Sequence, residues 1–156
     1  MKLLLDTHAL LWTITGDLRL SRKAAVALHQ PEAEIFVSAA YIWEITTKFR
    51  LGKLPEAGVL VYDFDSLRRL GFLDLPITIE HAQRAGLLPG NHKDPFDRLL
   101  IAQAQAENIV FISNEQLFDD YGIRRCGKAR NIRRDHQIVL QSTYACRKDH
   151  PHRLLA

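Results

Sequence analysis

Cysteine is scarce in this sequence, and long apolar runs are absent from it. Only 2 cysteines occur among 156 residues, Cys126 and Cys146, and no CxxC pair is present, so neither a disulfide framework nor a zinc site is predicted. No apolar run approaches the roughly 20 residues that a membrane-spanning helix needs. The leucine run after Lys2 ends at Asp6, which is too short for a secretory signal. We therefore expect a cytoplasmic protein without a membrane partner.

The motifs of several common enzyme classes are missing too. The sequence has no G-x-S-x-G nucleophile elbow, no P-loop and no glycine fingerprint of a dinucleotide-binding fold. A phosphate-transfer domain with Asp6 as its nucleophile usually carries another aspartate two residues later, where this sequence has His8. These absences leave rival chemistries of those kinds without support.

Positive charge is distributed unevenly along the chain. Residues 1–120 carry 12 Lys and Arg against 16 Asp and Glu, whereas residues 121–156 carry 9 against 2, so the net charge of +3 comes from the C-terminal part. The apolar pattern also fails beyond Ile123, where residues 138–140 are the only strand-like piece. We interpret residues 124–156 as a basic extension that is loosely attached to a mildly acidic body.

Short apolar strands alternate with helical segments in the body. Strands are predicted at residues 2–5, 35–37, 73–77 and 109–112. Helices are predicted at residues 8–14, 21–28, 39–51, 59–70, 78–85, 94–107 and 117–121. This alternation predicts an α/β fold with a central, mainly parallel sheet and helices on both of its faces.

Four acidic residues are predicted to meet at the carboxyl edge of that sheet, where ligands bind in parallel α/β folds. Asp6 directly follows the first strand, and Glu115 comes shortly after the last one. Glu44 and Asp97 lie on helices that begin at the same edge. Carboxylates this close repel one another, so either a cation or raised pKa values must accompany them.

Each acid taken alone also has a purely structural interpretation. Asp6 can cap the helix that follows it, and Asp97 can interact favourably with the dipole of its own helix. Glu44 can pair with Lys48, which lies one helical turn later. Glu115 by itself would be a solvated surface acid. The four acids therefore indicate a site only as a group.

A hard divalent cation is the ligand that such a group predicts. Mg²⁺ prefers oxygen ligands and keeps several waters, so a few carboxylates make a suitable cage, and Mn²⁺ can substitute. In the metal-assisted hydrolysis of a phosphodiester, the ion supplies a hydroxide nucleophile and stabilises charge on the leaving oxygen. No side-chain nucleophile is then required.

Three segments carry a more specific signal: residues 4–12 (LLDTHALLW), 38–45 (SAAYIWEI) and 94–104 (DPFDRLLIAQA). Together they resemble a PIN domain and, more narrowly, the VapC-type toxins of bacterial toxin–antitoxin pairs. The likeness implies a PIN-like three-layer α/β fold. It implies a nuclease domain over residues 1–123 and leaves residues 124–156 as a basic C-terminal extension.

The resemblance implies a Mg²⁺-dependent endoribonuclease toxin that cleaves structured RNA such as transfer RNA. The first three acids of the family fall on Asp6, Glu44 and Asp97, which are expected to bind the metal and take part in catalysis. The fourth acid is usually an aspartate three residues before an aromatic residue. Glu115 stands in that place before Phe118 and is expected to complete the catalytic set.

Four further residues are expected to support this site without binding the metal. Thr7 and Ser113 would supply hydroxyl groups, Asn114 would lie beside them, and Asp94 would be either a helper acid or simply a helix cap. The family implies a homodimer and a cognate antitoxin protein that covers the acidic groove. An acidic body would bind RNA if the metal and local cations such as Arg98 reverse the field at the site.

A non-catalytic PIN-fold module that binds RNA or an antitoxin is the alternative from another functional class. Its support is the departure at Asn114-Glu115 and the atypical extension. Family members usually finish with a short strand soon after the position of Ile123, whereas this chain continues for 33 residues. The extension would either bind RNA phosphates or have no role.

Overall fold

The computed structural model of the protein describes residues 1–90 and 92–127. The predicted strand at residues 138–140 lies outside them, with the rest of the chain from residue 128 onwards, so the interpretation of the extension stays a prediction. Among the described residues, no helix is long and apolar enough to cross a membrane.

The centre of the fold is a single sheet. Its strands are β1 (Lys2–Leu5), β2 (Glu34–Ser38), β3 (Leu73–Leu75), β4 (Val110–Ile112) and β5 (Arg125–Cys126). They lie in the order β3-β2-β1-β4-β5, and every neighbouring pair runs parallel. The structure therefore confirms the predicted α/β fold with a central parallel sheet.

Strand β1 lies in the middle of this sheet and in the core. Its three leucines are almost completely buried, and Leu3 lies opposite both Ile35 of β2 and Val110 of β4. Burial on both faces is typical of a parallel strand that is covered by helices on each side. Because neighbours hold β1 along both of its edges, the next residue, Asp6, has a defined place at the carboxyl edge of the sheet.

Helices connect the strands. In the described part of the chain they are α1 (Thr7–Thr15), α2 (Arg22–Leu28), α3 (Ala39–Arg50), α4 (Gly58–Tyr62), α5 (Asp65–Arg69), α6 (Ile79–Leu87) and α7 (Pro95–Ala106). Short 3-10 helices occur at Pro55–Ala57 and Gln116–Tyr121. The second of these is the short helix that was predicted at residues 117–121, and it has 3-10 geometry.

The prediction of one continuous helix at residues 59–70 is wrong. Two short helices, α4 and α5, occupy this stretch, and the backbone leaves the helical region at Asp63, where φ is −146°. The Asp63 carboxylate accepts a hydrogen bond of 3.2 Å from the N–H of Ser66. A short acidic side chain that binds the backbone in this way competes with a continuous helix.

Strand β5 lies just after Ile123, the residue beyond which the apolar pattern of the sequence fails. It pairs with β4, and the N–H of Ser113 donates to the carbonyl of Cys126 over 3.2 Å. The short last strand that the family resemblance implied after Ile123 is thus present. At Gly127, where φ is +150°, a Cβ would lie 2.2 Å from the carbonyl oxygen of Ser113, so the close approach of the two backbones requires glycine.

The three helices that begin at the carboxyl edge of the sheet are capped by side chains. Asp6 begins α1, Ser38 begins α3 and Asp94 begins α7, and each side chain accepts a hydrogen bond from an N–H of the first turn. Such caps satisfy donors that the helix itself leaves free. They also fix where each helix starts, and hence where the acids on α3 and α7 lie.

Candidate active site

The predicted acids lie near one another at the carboxyl edge of the sheet, close enough for their charges to act on Asp97. Burial raises the pKa of Asp97 from 3.8 to about 8, together with the negative charges of four other carboxylates: Asp94, Glu115, Glu44 and Asp6. A carboxyl group surrounded by like charges is harder to ionise. The charges of the other three acids predicted as catalytic therefore act on Asp97, although the four come from separate parts of the chain.

Asp6 is both a helix cap and a buried acid. Its N–H donates to the carbonyl of Ile112 over 3.0 Å, and its Oδ1 accepts the N–H of Ala9 over 2.6 Å. Burial raises the pKa of Asp6, while hydrogen bonds from Ser113 and Ala9 act in the opposite direction. The cap interpretation is correct, and the carboxylate still belongs to the acidic cluster because the charge of Glu115 also raises its pKa.

Glu44 is deeply buried, and neither of its oxygens is free of a partner. The hydroxyl of Thr7 donates to Oε2, and the ammonium group of Lys48 donates to Oε1. The predicted pairing of Glu44 with Lys48 is confirmed, but it lies in the interior because Glu44 is only 3% exposed. Thr7 is thus in direct contact with this acid, and its supporting role in the site stays a prediction.

Asp97 lies in the first turn of α7, where two neighbours shape its surroundings. The N–H of Asp97 donates to Oδ1 of Asp94 over 3.4 Å, so Asp94 acts as the helix cap and also contributes a nearby negative charge. Oδ2 of Asp97 lies 3.4 Å from Nε2 of His92. No sequence signal pointed to His92, because a histidine in a loop has no characteristic spacing.

Glu115 is the exposed member of the group. Its N–H donates to the hydroxyl of Ser113 over 3.1 Å, which ties the loop after β4 to the end of that strand. The side-chain amide of Asn114 donates to the carbonyl of Arg19 over 3.0 Å. Ser113 thus contacts the backbone of Glu115, and Asn114 holds the loop against the segment between α1 and α2, while their support of the site stays a prediction.

Sequence reasoning also missed Tyr41 and Arg125. The Tyr41 hydroxyl donates to the carbonyl of Thr7 over 3.3 Å, and burial followed by the charges of Asp6 and Glu44 raises its pKa well above the ordinary value. Arg125 donates to the carbonyl of Ser113 over 2.8 Å. Both side chains were hidden from a motif search because they reach the site through packing.

Arg98, which was expected to contribute positive charge at the site, has a structural task as well. Its guanidinium group donates to backbone carbonyls of Ala85, Gly86, Leu88 and His92, and it thereby holds the segment between α6 and α7. A guanidinium with its donors used in this way is a structural clamp. In the described part of the chain, the ammonium group of Lys48 pairs directly with one of the acids, Glu44.

The comparison with known protein families agrees with this architecture. Residues 3–124 match the PIN domain family. The chain belongs to the PIN domain family. PIN domains are generally nucleases. No match was found among curated protein sequences.

Solved structures share the PIN fold at low sequence identity. VapBC2 from Rickettsia felis, bound to a DNA fragment from their promoter, is 17% identical with a TM-score of 0.58, and the match covers 81% of this chain and 98% of that chain. DNA-bound VapBC from Salmonella typhimurium is also 17% identical, with a TM-score of 0.57 and coverage of 81% and 97%. VapBC-1 from nontypeable Haemophilus influenzae is 13% identical, with a TM-score of 0.55 and coverage of 81% and 98%.

The donor atoms of this PIN domain suit a hard divalent cation. They are carboxylate oxygens, and burial together with the charges of neighbouring carboxylates raises the pKa of Asp97, so the ionised cluster would gain from a nearby cation. In residues 1–90 and 92–127, no three Asp, Glu, His or Cys side chains converge closely enough to hold an ion in their present conformations. The ligand set of Asp6, Glu44 and Asp97 therefore stays a prediction.

Proposed function

We propose that the protein is a divalent-metal-dependent endoribonuclease of the VapC toxin type. The observation that carries the proposal is the group of four acids at the carboxyl edge of a PIN fold, where burial and the neighbouring negative charges raise the pKa of Asp97 to about 8. Repelling carboxylates of this kind are stabilised by a cation, and Mg²⁺ is the cation that oxygen ligands favour, with Mn²⁺ as a substitute.

Asp6, Glu44 and Asp97 are the proposed metal ligands. Asp6 and Asp97 would hold the ion, Glu44 would join them, and Glu115 would orient the attacking water from its exposed loop. When bound, the ion would activate that water and stabilise the charge on the leaving oxygen. Ser113 supports this arrangement because its hydroxyl contacts both Asp6 and the backbone of Glu115.

The proposed substrate is structured RNA such as transfer RNA, and the proposed protein partners are a cognate antitoxin and a second copy of the chain. Support for protein partners comes from α4, where Val59 and Tyr62 are 88% and 83% exposed. Positions three residues apart lie on the same face of a helix, so the two side chains form an apolar surface. Apolar surface of this kind marks protein contacts when it extends over a patch.

A non-catalytic binding module is the second candidate function. One observation favours it: both oxygens of Glu44 already accept hydrogen bonds, from Thr7 and Lys48. A PIN domain that kept this arrangement permanently would bind RNA or an antitoxin without cleaving RNA. The two candidates differ in whether the acids take up a metal ion and in whether RNA is cut.

Cleavage of a panel of transfer RNAs by the purified full chain tests the proposal. Wild-type protein should make discrete cuts in Mg²⁺ that disappear in EDTA. Asp6→Asn should lose cleavage and remain folded, because asparagine also caps helices well. Asp74→Asn is the matched control, since Asp74 is an exposed aspartate of β3 that pairs with Arg68, and this variant should cut like wild type. Substantial cleavage by folded Asp6→Asn would overturn the metal-carboxylate mechanism.

A further inference from the structure

Lys48 carries a positive charge that is in direct contact with one of the four acids. It follows Glu44 by one turn of α3, and its ammonium group donates to Oε1 of that buried carboxylate. Thr7 occupies the other oxygen. In this conformation, Glu44 directs its accepting atoms to a lysine and a threonine, and the cluster does not converge on a common point.

The charge of Lys48 also acts on the other acids. Burial lowers the pKa of Lys48, but the hydrogen bond and charge of Glu44 outweigh this effect, and the charges of Asp94 and Asp97 raise the pKa further. The ammonium group therefore interacts with the acids of α7 as well as with the one on its own helix. One positive charge thus interacts favourably with several carboxylates, as the charge of a bound metal ion would.

Lysine is suited to a contact that has to be reversible. Its compact charge is carried on a flexible four-carbon stem with freely rotating donors. The Lys48 side chain is 35% exposed, whereas that of Glu44 is 5% exposed. Rotation of the lysine stem can therefore move the ammonium group into solvent. The buried carboxylate of Glu44 cannot reach solvent in this way.

We propose that the Lys48 ammonium group is a built-in counterion that takes the place of the divalent cation in the metal-free protein. It holds Glu44 away from Asp6 and Asp97, and it must leave Glu44 before that carboxylate can bind a metal ion. Metal binding thus competes with an internal ion pair. This inference rests on the proposed function, because it assumes that the acids bind a divalent cation.

Titration of the metal-free full chain with Mn²⁺, followed by calorimetry, tests the inference without any substrate. Lys48→Met removes the competing charge and should bind Mn²⁺ about tenfold more tightly than wild type. Lys48→Gln keeps a hydrogen-bond donor for Glu44 without the charge, and it should show the same gain if the methionine variant folds poorly. Lys48→Arg keeps the charge and should bind Mn²⁺ like wild type.

Arg50→Met is the matched control, because Arg50 is an exposed cation on the same helix. Its effect on Mn²⁺ affinity should stay within about twofold, since solvent screens an exposed charge. Thermal melting gives a second readout: without metal, Lys48→Met should melt below wild type, and saturating Mn²⁺ should close that difference.

The outcomes separate this inference from the proposed function. If wild type binds Mn²⁺ and both uncharged Lys48 variants bind it equally or more weakly, Lys48 positions Glu44 for the metal and the competition is disproved. If Arg50→Met gains as much Mn²⁺ affinity as Lys48→Met, the gain comes from the change in net charge and the competition by Lys48 is disproved. If no variant binds Mn²⁺, including wild type and Arg50→Met, the proposed metal site itself is wrong.

Discussion

Nε2 of His92 lies 3.4 Å from Oδ2 of Asp97, so the loop before α7 places an imidazole against the acid in the first turn of that helix. The imidazole is stacked on the ring of Phe118 with 5.7 Å between centroids, and it contacts Tyr121 over 5.9 Å. Among the described residues, neither ring nitrogen of His92 has a hydrogen-bond partner. Packing, rather than a hydrogen-bond network, directs the ring towards the carboxylate.

Replacing His92 should weaken metal binding while the fold survives. His92→Phe keeps the aromatic packing but loses the contact with Asp97, and residues that support metal ligands typically change metal affinity by about 10-fold to 100-fold. We expect Mn²⁺ affinity to fall in His92→Phe, measured by calorimetry, with part of it restored in His92→Gln, which keeps a polar donor. Wild-type affinity in a folded His92→Phe protein would show that the contact does not support Asp97.

The stability of the metal-free protein should decrease as the pH rises from about 4 to about 8. The pKa of Asp97 is raised from 3.8 to about 8 by burial and by neighbouring acids, so between these values the folded state binds a proton that the unfolded state releases. The stabilising contribution is therefore complete below the unfolded pKa and is lost as the pH passes the folded one. Asp6 acts in the same direction, because its pKa is also raised.

Chemical denaturation of wild type and Asp97→Asn between pH 4 and 9 measures this effect. Each unit of difference between the folded and unfolded pKa corresponds to about 1.4 kcal/mol in the free energy of unfolding. Asp97→Asn should lose less stability across this range and be the more stable protein at pH 9. Mg²⁺ should stabilise wild type at pH 8 more than it stabilises the variant. Parallel curves for the two proteins would contradict the raised pKa of Asp97.

Asp94 should be important for its cap more than for its charge. Its side chain accepts the N–H of Phe96 over 2.8 Å and that of Asp97 over 3.4 Å, and proline follows it in the first helical position. Asp94→Ala should lower the free energy of unfolding by about 1 kcal/mol, whereas Asp94→Asn should retain most of it. RNA cleavage should survive in Asp94→Asn. Loss of cleavage in this folded variant would instead make Asp94 part of the catalytic set.

The elements with strong local signals were predictable from the sequence. Three consecutive leucines indicate β1, and the Asp94-Pro95 pair indicates the start of α7, because a capping side chain and a proline each suit one position there. The break at Asp63 was missed because apolar periodicity does not register a side chain that binds its own backbone. Strand β5 is too short to have a period, and only its pairing with β4 makes it a strand.

The candidate site also contains residues that could be predicted from the sequence and residues that could not. Asp6, Glu44 and Asp97 could be predicted because each belongs to a recognisable motif, and the parallel topology requires their elements to meet at one edge of the sheet. His92 and Tyr41 could not be predicted, since a loop histidine and a helical tyrosine carry no spacing that points to a partner. The structural task of Arg98 could not be predicted either, because the carbonyls that it binds meet only in the folded chain.

The sequence alone determined the alternation of strands β1 to β4 with helices and the start of α7, because these depend on contacts between near neighbours in the chain, and it identified the acids by their motifs. Tertiary structure decided which side chains contact those acids. The contact of His92 with Asp97 and the hydrogen bond from Thr7 to Glu44 each join separate elements. Lys48 and Glu44 are close in the sequence, but the strength of their interaction depends on burial. A buried carboxylate interacts far more strongly with a neighbouring charge than a solvated carboxylate does.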